Sequence, residues 1–212
     1  FAQADQAISA IAARFVEAGL PPGSVIAVQM PNTIEFVLTA MAALRAGLVV
    51  ALMPQLWRQS ELTIALNRIG ARAFAGVGRI EIVDHGELAL NAAVEAFSIR
   101  QVFGFGGNLP EGMVPLDIVT SGMNGWLPPV VLDARKPAII SFDITPEGFR
   151  AIPRNHLQLI SGGLAVFLEA GLPQGARLLS SIAPCSFAGF VSSVVTWLLS
   201  GGSLALHHPA DL

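Results

Sequence analysis

Apolar residues recur at helical spacing near the start of the chain, at Ile8, Ile11, Ala12 and Phe15, and the run leads into Gly19 and a Pro21-Pro22-Gly23 turn. The spacing predicts a helix, and the apolar stretch Val25 to Met30 behind the turn reads as a buried strand. Ile34, Val37, Leu38, Met41 and Leu44 then mark one face of a second helix after Asn32, ended by Gly47 and followed by a strand from Leu48 to Met53. Ser60 is placed to cap a third helix carrying Leu62, Ala65, Leu66 and Ile69, which Gly70 stops before a strand at Ala71 to Ala75. Farther on, Glu87 to Phe97 reads as helix and Arg100 to Phe105 as strand, while glycine, proline and asparagine from Gly104 to Pro129 give loop signals. Helices alternating with apolar strands predict an α/β fold of layered, helix-covered, mainly parallel sheets, because parallel strands need a crossover and a helix is the usual one.

The pattern contains an internal repeat. Glu17-Ala18-Gly19-Leu20-Pro21-Pro22-Gly23, a strand and Pro31 recur as Glu169-Ala170-Gly171-Leu172-Pro173-Gln174-Gly175, a strand and Pro184. Ala46-Gly47, strand Leu48 to Met53 and Pro54 are mirrored by Gly201-Gly202, strand Ser203 to His207 and Pro209. The expectation is two similar α/β units, a first subdomain over 1–79, a connecting region over 80–135, and a second, partial subdomain over 136–212; the other reading is coincidence, since Gly-Leu-Pro-x-Gly is a generic helix exit.

Composition narrows the class. With 53% hydrophobic and 13% charged residues among 212, the chain has ample apolar material for a core, and the scarcity of charge suits strands buried on both faces. Twelve basic against fifteen acidic residues leave no nucleic-acid footprint. The lone Cys185 cannot form an internal disulfide, which fits a cytoplasmic protein. Phe1 to Leu20 carries Asp5, Arg14 and Glu17 at amphipathic spacing and is no signal peptide. The charge-free stretch Phe187 to Leu206 has the length of a membrane span, but Ser200-Gly201-Gly202 divides it, so the reading is a buried helix over Phe187 to Leu199 and then a buried strand.

From Phe1-Ala2-Gln3-Ala4-Asp5 through Gly19-Leu20-Pro21-Pro22-Gly23-Ser24-Val25-Ile26-Ala27-Val28, Met30-Pro31-Asn32-Thr33-Ile34-Glu35-Phe36 and Leu44-Arg45-Ala46-Gly47 to Gly70-Ala71-Arg72-Ala73, the chain resembles the opening of AMP-forming acyl-CoA synthetases. The resemblance is poor between Gly78 and Arg135. It resumes at Lys136-Pro137-Ala138-Ile139-Ile140 and continues through Asn155-His156 and Gly189 to Gly202. It implies the two similar subdomains of the adenylating-enzyme large domain. It also implies activation of a small-molecule carboxylic acid by ATP and magnesium to an acyl-adenylate, then transfer to a thiol, usually coenzyme A. The family's later motifs, among them a ribose-holding aspartate and the lysine of a mobile C-terminal domain, are expected beyond Leu212.

The family's phosphate loop reads roughly Thr-Ser-Gly-Thr-Thr-Gly-x-Pro-Lys-Gly, and its place is taken here by Phe142-Asp143-Ile144-Thr145-Pro146-Glu147-Gly148-Phe149-Arg150-Ala151. Such a loop needs inward backbone N–H groups, glycines that let phosphate approach, hydroxyls and a cation. Thr145 is retained, Arg150 keeps the lysine's charge, and Asp143, Thr145, Gly148 and Arg150 are the candidate nucleotide contacts of a degenerate loop. Pro146 deletes an N–H, while Asp143 and Glu147 add carboxylates. One carboxylate about 4 Å from a phosphate charge costs about 4 kcal/mol at an effective dielectric near 20. Two readings stand: an ordinary surface turn, or a loop in which Asp143 holds a metal.

His156 sits where the family has histidine; it is alternatively a residue that caps the helix behind it. In Ala183-Pro184-Cys185-Ser186-Phe187-Ala188-Gly189, the resemblance marks Ser186, Phe187 and Gly189 as acyl-pocket candidates, with core packing as the other reading. Gly104-Phe105-Gly106-Gly107 lacks dinucleotide spacing, and no Ser/His/Asp triad can be nominated. His207 and His208, adjacent on a strand, would point to opposite faces and make a poor metal pair. Cys185 reads as a small apolar residue rather than a nucleophile, and Trp57, Trp126 and Trp197 as packing residues. No catalytic residue and no metal ligand set is nominated.

The leading expectation is the N-terminal region of an acid–thiol ligase, inactive as an isolated chain. The alternative is a non-catalytic interaction or acyl-binding module descended from such enzymes. A homo-oligomer or a missing C-terminal partner would fit either.

Overall fold

A computed structural model describes residues 2–117 and 133–208. Trp126 and the later part of the loop-rich stretch, residues 118–129, lie outside the described residues.

Helix α1 (Ala2–Glu17) leads to strand β1 (Val25–Val28), helix α2 (Ile34–Arg45) to β2 (Val49–Leu52), and α3 (Gln59–Ile69) to β3 (Ala73–Val77). A short antiparallel pair, β4 (Arg79–Ile80) and β5 (Val83–Asp84), precedes α4 (His85–Glu95), β6 (Gln101–Phe105) and β7 (Met113–Pro115). The expected helices and strands through Phe105 are all present, with ends shifted by a few residues. Ser60 is not the cap of α3. Arg58 holds that position, and the Glu61 carboxylate accepts its backbone N–H at 3.0 Å. Gly70 ends the helix at φ 59, a left-handed conformation that costs glycine nothing.

The main sheet runs β7-β6-β3-β1-β2-β8-β9. Strands β8 (Pro137–Thr145) and β9 (Gly148–Asn155) complete it, β8 lying parallel to β2 and β9 antiparallel to β8. This differs from the expected division. The stretch beginning at 136 does not open a separate sheet, because Ile139 and Ile140 pair with Val50 and Ala51 of the first unit. The second sheet holds β10 (Arg177–Ser180) and β11 (Ser203–Leu206), paired in parallel. Helix α5 (His156–Glu169) leads into β10, and α6 (Phe187–Phe190), a π-helical turn (Val191–Val195) and α7 (Thr196–Ser200) run from β10 to β11. The charge-free stretch is thus helix to Ser200 and then strand, as its glycines dictate. Among the described residues no helix is long and apolar enough to cross a membrane.

The repeated sequence folds twice into the same local structure. Gly19 and Gly171 leave their helices at φ 74 and 57, conformations that exclude most side chains. Leu20 N–H then donates to Phe15 O at 3.3 Å and Leu172 N–H to Phe167 O at 3.2 Å. Gly23 N–H reaches Gly47 O at 2.8 Å, and Gly175 N–H reaches Ser200 O at 2.7 Å. Each turn therefore ties the start of one strand to the end of the helix before the next.

Side-chain alternation sets the layers. On β1, Ile26 and Val28 join the cluster with Phe15, Phe36 and Phe103 beneath α1 and α2, whereas Ala27 faces Leu62, Leu66 and Phe74 beneath α3 and α4. Phe15 meets Phe103 edge-on at 5.1 Å, and Phe36 meets Phe190 at 6.3 Å, which joins α6 to α2 and so couples the second unit to the first.

Candidate functional site

The candidate phosphate loop is a tight hairpin. Pairing runs unbroken from Ile140↔Pro153 through Phe142↔Ala151, Asp143↔Arg150 and Ile144↔Phe149 to Thr145↔Gly148, leaving Pro146 and Glu147 as a two-residue turn. Successive N–H groups of an extended strand point to opposite sides, so this segment lacks the run of converging amides that a phosphate nest requires. The Thr145 hydroxyl donates to Gly148 O at 3.0 Å, closing the hairpin. Gly148 adopts φ 118, beyond the reach of most other residues. Asp143, Glu147 and Arg150 are exposed, and Ile144 is 83% exposed at the tip.

Aromatic packing fixes the hairpin from one side. Phe142 and Phe149 stand 5.0 and 4.6 Å from the Trp57 ring, and the Arg68 guanidinium lies 5.1 Å from the Phe149 centroid. Phe149 occupies a position where the family loop has no aromatic anchor, and the sequence reading assigned it no role. Its signal was alternation, since residues 142 and 149 fall on the same face of a hairpin that closes at 146–147.

His156 does not cap α5. Asn155 does, its side chain accepting Gln158 N–H at 2.9 Å while Gln158 Oε1 accepts Asn155 N–H at 3.0 Å. His156 is the first residue of the helix, and partial burial lowers its pKa.

The three acyl-pocket candidates take separate places. Ser186 Oγ accepts Gly189 N–H at 3.0 Å and so starts α6. Phe187 carries the Arg154 guanidinium 4.9 Å from its ring centroid. Gly189 is buried, and a Cβ there would stand 2.4 Å from Ala183 O, so the glycine serves close backbone approach. None of the three lines the cleft that the neighbouring Ala183, Pro184 and Cys185 help to form. Burial raises the Cys185 pKa, keeping the thiol protonated at neutral pH.

Asn32 was quoted in the sequence pattern without a role, and its role is to join the sheets. Its Nδ2 donates to Ser180 O at 2.8 Å and to His207 O at 3.0 Å, the ends of β10 and β11. Trp57 and Trp197 pack as expected, the latter donating from Nε1 to Gly202 O at 3.0 Å. His207 and His208 follow β11 rather than lying on it, and among the described residues no group of three or more His, Cys, Asp or Glu side chains could hold a metal.

Residues 1–104 match the family of AMP-binding enzymes. A salicylyl-CoA synthase / salicylate adenylyltransferase from a Streptomyces species is 30% identical over 99 residues, covering 47% of this chain and 18% of that protein. The anthranilate CoA ligase AuaEII, solved in complex with anthranoyl-AMP, superposes with a TM-score of 0.87 at 12% identity over 97% of this chain and 39% of its own. Acetoacetyl-CoA synthetase from Streptomyces lividans gives 0.85 at 17% identity, over 98% of this chain and 33% of that one. The chain spans less than two fifths of either solved relative, and these structural likenesses concern the fold.

Proposed function

We propose that this chain, whose sequence and fold are those of the N-terminal portion of the adenylating-enzyme superfamily, is the N-terminal region of an AMP-forming acid–thiol ligase and activates no acid by itself. The relationship to adenylating ligases rests on the match over residues 1–104 and on the fold of the whole. The observation that carries the second half of the reading is the hairpin. Where the family cradles phosphate, Thr145 and Gly148 close a two-residue turn with a carboxylate on either side of Pro146.

For the complete protein, we take ATP with magnesium as the activating substrate, coenzyme A as the acceptor thiol, and an aromatic carboxylic acid as the class to test first, because the curated relative is named for salicylate. A cytoplasmic setting fits that chemistry. Exchange of labelled pyrophosphate into ATP, with salicylate, anthranilate and a fatty acid offered in turn, tests the proposal. No exchange is expected from the isolated chain; exchange with any of the three acids would overturn it.

A specific observation also favours the reading as an interaction module. Helix α5 has exposed Leu157, Ile160, Leu164 and Leu168 at positions i, i+3, i+7 and i+11, one continuous stripe, and Leu179 on β10 is 76% exposed. A continuous exposed apolar stripe of this length is a surface that gains by being covered, which fits contact with another polypeptide.

A further inference from the structure

Between His156 and Glu169, helix α5 carries no charged residue, and Leu157, Ile160, Leu164 and Leu168 leave between 41% and 64% of their surface in water. Ser161 and Ala165, both small, lie exposed beside them. At 3.6 residues per turn these six positions share less than half of the helix circumference. The other side is taken: a Cβ on Gly162 would meet Phe187 and Val191, and one on Gly163 would meet Val195. That packing turns the stripe away from its own chain.

The stripe reads nearly alike from both ends. Laid antiparallel on a second copy, with the two-fold axis at the level of Gly162 and Gly163, Leu157 faces Leu168, Ile160 faces Leu164 and Ser161 faces Ala165. The same three pairs recur beyond the axis, which is the condition for a closed, isologous contact. Ser161 and Ala165 form a column of small side chains along which the two backbones approach, while Ile160 and Leu164 fill the wider column. Charge selects the direction. Glu169 is the last residue of α5, at the negative end of its own helix, and forms no ion pair among the described residues. Parallel packing would set two such carboxylates side by side, whereas antiparallel packing sets each beside the N-terminal turn of the other copy, where the helix dipole favours an anion.

On the reading of α5 as an interaction surface, we propose that its partner is a second copy of this chain, the two helices meeting antiparallel along Leu157, Ile160, Ser161, Leu164, Ala165 and Leu168. A face one helix wide and about three turns long belongs with the small interfaces, below about 1,200 Å² in total. The pair therefore forms and parts readily, with half-dissociation on the order of 100 μM.

The test uses the whole chain with its lone cysteine replaced, Cys185→Ala, and one new cysteine at either end of the stripe, Leu157→Cys or Leu168→Cys. Both positions are at least half exposed, so both chains are expected to fold as the parent does. In the antiparallel pair each new cysteine lies about 16 Å along the helix axis from its own counterpart, and faces the other variant's. A short bis-maleimide should therefore join the two chains when they are mixed and neither of them alone. Cross-linking of either variant alone as efficiently as the mixture would overturn the proposal, and so would none in the mixture well above the expected dissociation constant. Glu169→Lys separates pairing from folding, because a lysine suits the end of its own helix but is repelled by the N-terminal turn of the other copy. It should leave the unfolding temperature of the dilute monomer unchanged or higher, yet weaken dimerisation roughly threefold or more by sedimentation equilibrium. Dimerisation unchanged by Glu169→Lys would also overturn the proposal. A chain that stays monomeric but binds an apolar dye would remove the second copy as partner while leaving α5 an interaction surface, and no readout involves ATP, so the ligase reading stands apart.

Discussion

Asp143 and Arg150 stand directly opposite each other across the β8–β9 hairpin, a carboxylate and a guanidinium sharing one exposed face. A phosphate approaching Arg150 therefore approaches Asp143 as well, with Glu147 at the turn beside them. Repulsion of about 4 kcal/mol per carboxylate at 4 Å outweighs the attraction of a single cation, and the ladder offers no converging N–H groups to offset it. ATP with magnesium is expected to bind the chain at millimolar affinity or weaker by calorimetry. The fivefold variant Asp143→Ser, Ile144→Gly, Pro146→Thr, Glu147→Gly, Arg150→Lys spares Phe142 and Phe149, which anchor the hairpin on Trp57. It should bind nucleotide at least tenfold more tightly. A folded variant with no gain would show that these five substitutions do not account for the weak binding.

Much of this architecture was legible because local signals and tertiary structure agree. Gly19 and Gly171, with Gly23 and Gly175, mark positive φ, and that need is local, so the repeat could be read directly from sequence. The membership of β8 in the first sheet could not, since nothing in Pro137 to Thr145 records that Ile139 will lie beside Val50. The closed hairpin was half visible: the lost glycines and added carboxylates were plain, but the Trp57–Phe149 contact joins positions far apart in the chain. The role of Asn32 was hidden for the same reason, because its partners Ser180 and His207 belong to the other unit.

That amide gives a second prediction. Asn32→Ala removes one buried and one partly buried hydrogen bond between the sheets and should cost about 2–3 kcal/mol in urea denaturation, since each is worth about 1 kcal/mol net and the buried carbonyl left at Ser180 pays desolvation. Asn32→Asp should cost more than the alanine, because it sets a carboxylate against two carbonyl oxygens. An aspartate variant as stable as the parent would show that these bonds do not hold the sheets together.

Gly189 separates packing from pocket. Its Cβ would meet Ala183 O at 2.4 Å, a backbone atom that cannot swing away, so Gly189→Ala should destabilise the chain by about 1–3 kcal/mol. Thermal unfolding is the measurement. Unchanged stability would return Gly189 to consideration as a pocket-lining position.

His85 makes stability depend on pH. It is 4% exposed, its Nδ1 has no hydrogen-bond partner among the described residues, and burial, helped by the Arg58 charge and opposed by Asp84, lowers its pKa below 6.5. The unfolded chain takes up a proton at a pH where the native imidazole stays neutral, so stability is full above about pH 6.5 and falls as the pH drops below it. His156, also lowered by burial, adds in the same direction. Urea unfolding at pH 7.5 and 5.5 should show the loss, and His85→Leu should reduce it. An unchanged pH dependence in that variant would assign it to other groups.

The stripe on α5 makes the last prediction. Leu157, Ile160, Leu164 and Leu168 are between 41% and 64% exposed on a helix whose other side already packs on the π-helical turn through Gly162 and Gly163. Burying one such leucine fully is worth about 1.5–3 kcal/mol, so the isolated chain gains by covering the stripe with any apolar surface it meets, including a second copy of itself. Sedimentation velocity should therefore show association that grows with concentration, and Leu164→Glu with Leu168→Lys should return the chain to a monomer. Both positions face solvent, so the doubly substituted chain is expected to keep its unfolding temperature within a few degrees. A parent chain that stays monomeric across the whole concentration range, with no binding of an apolar dye, would mean that the stripe is tolerated in water and needs no cover.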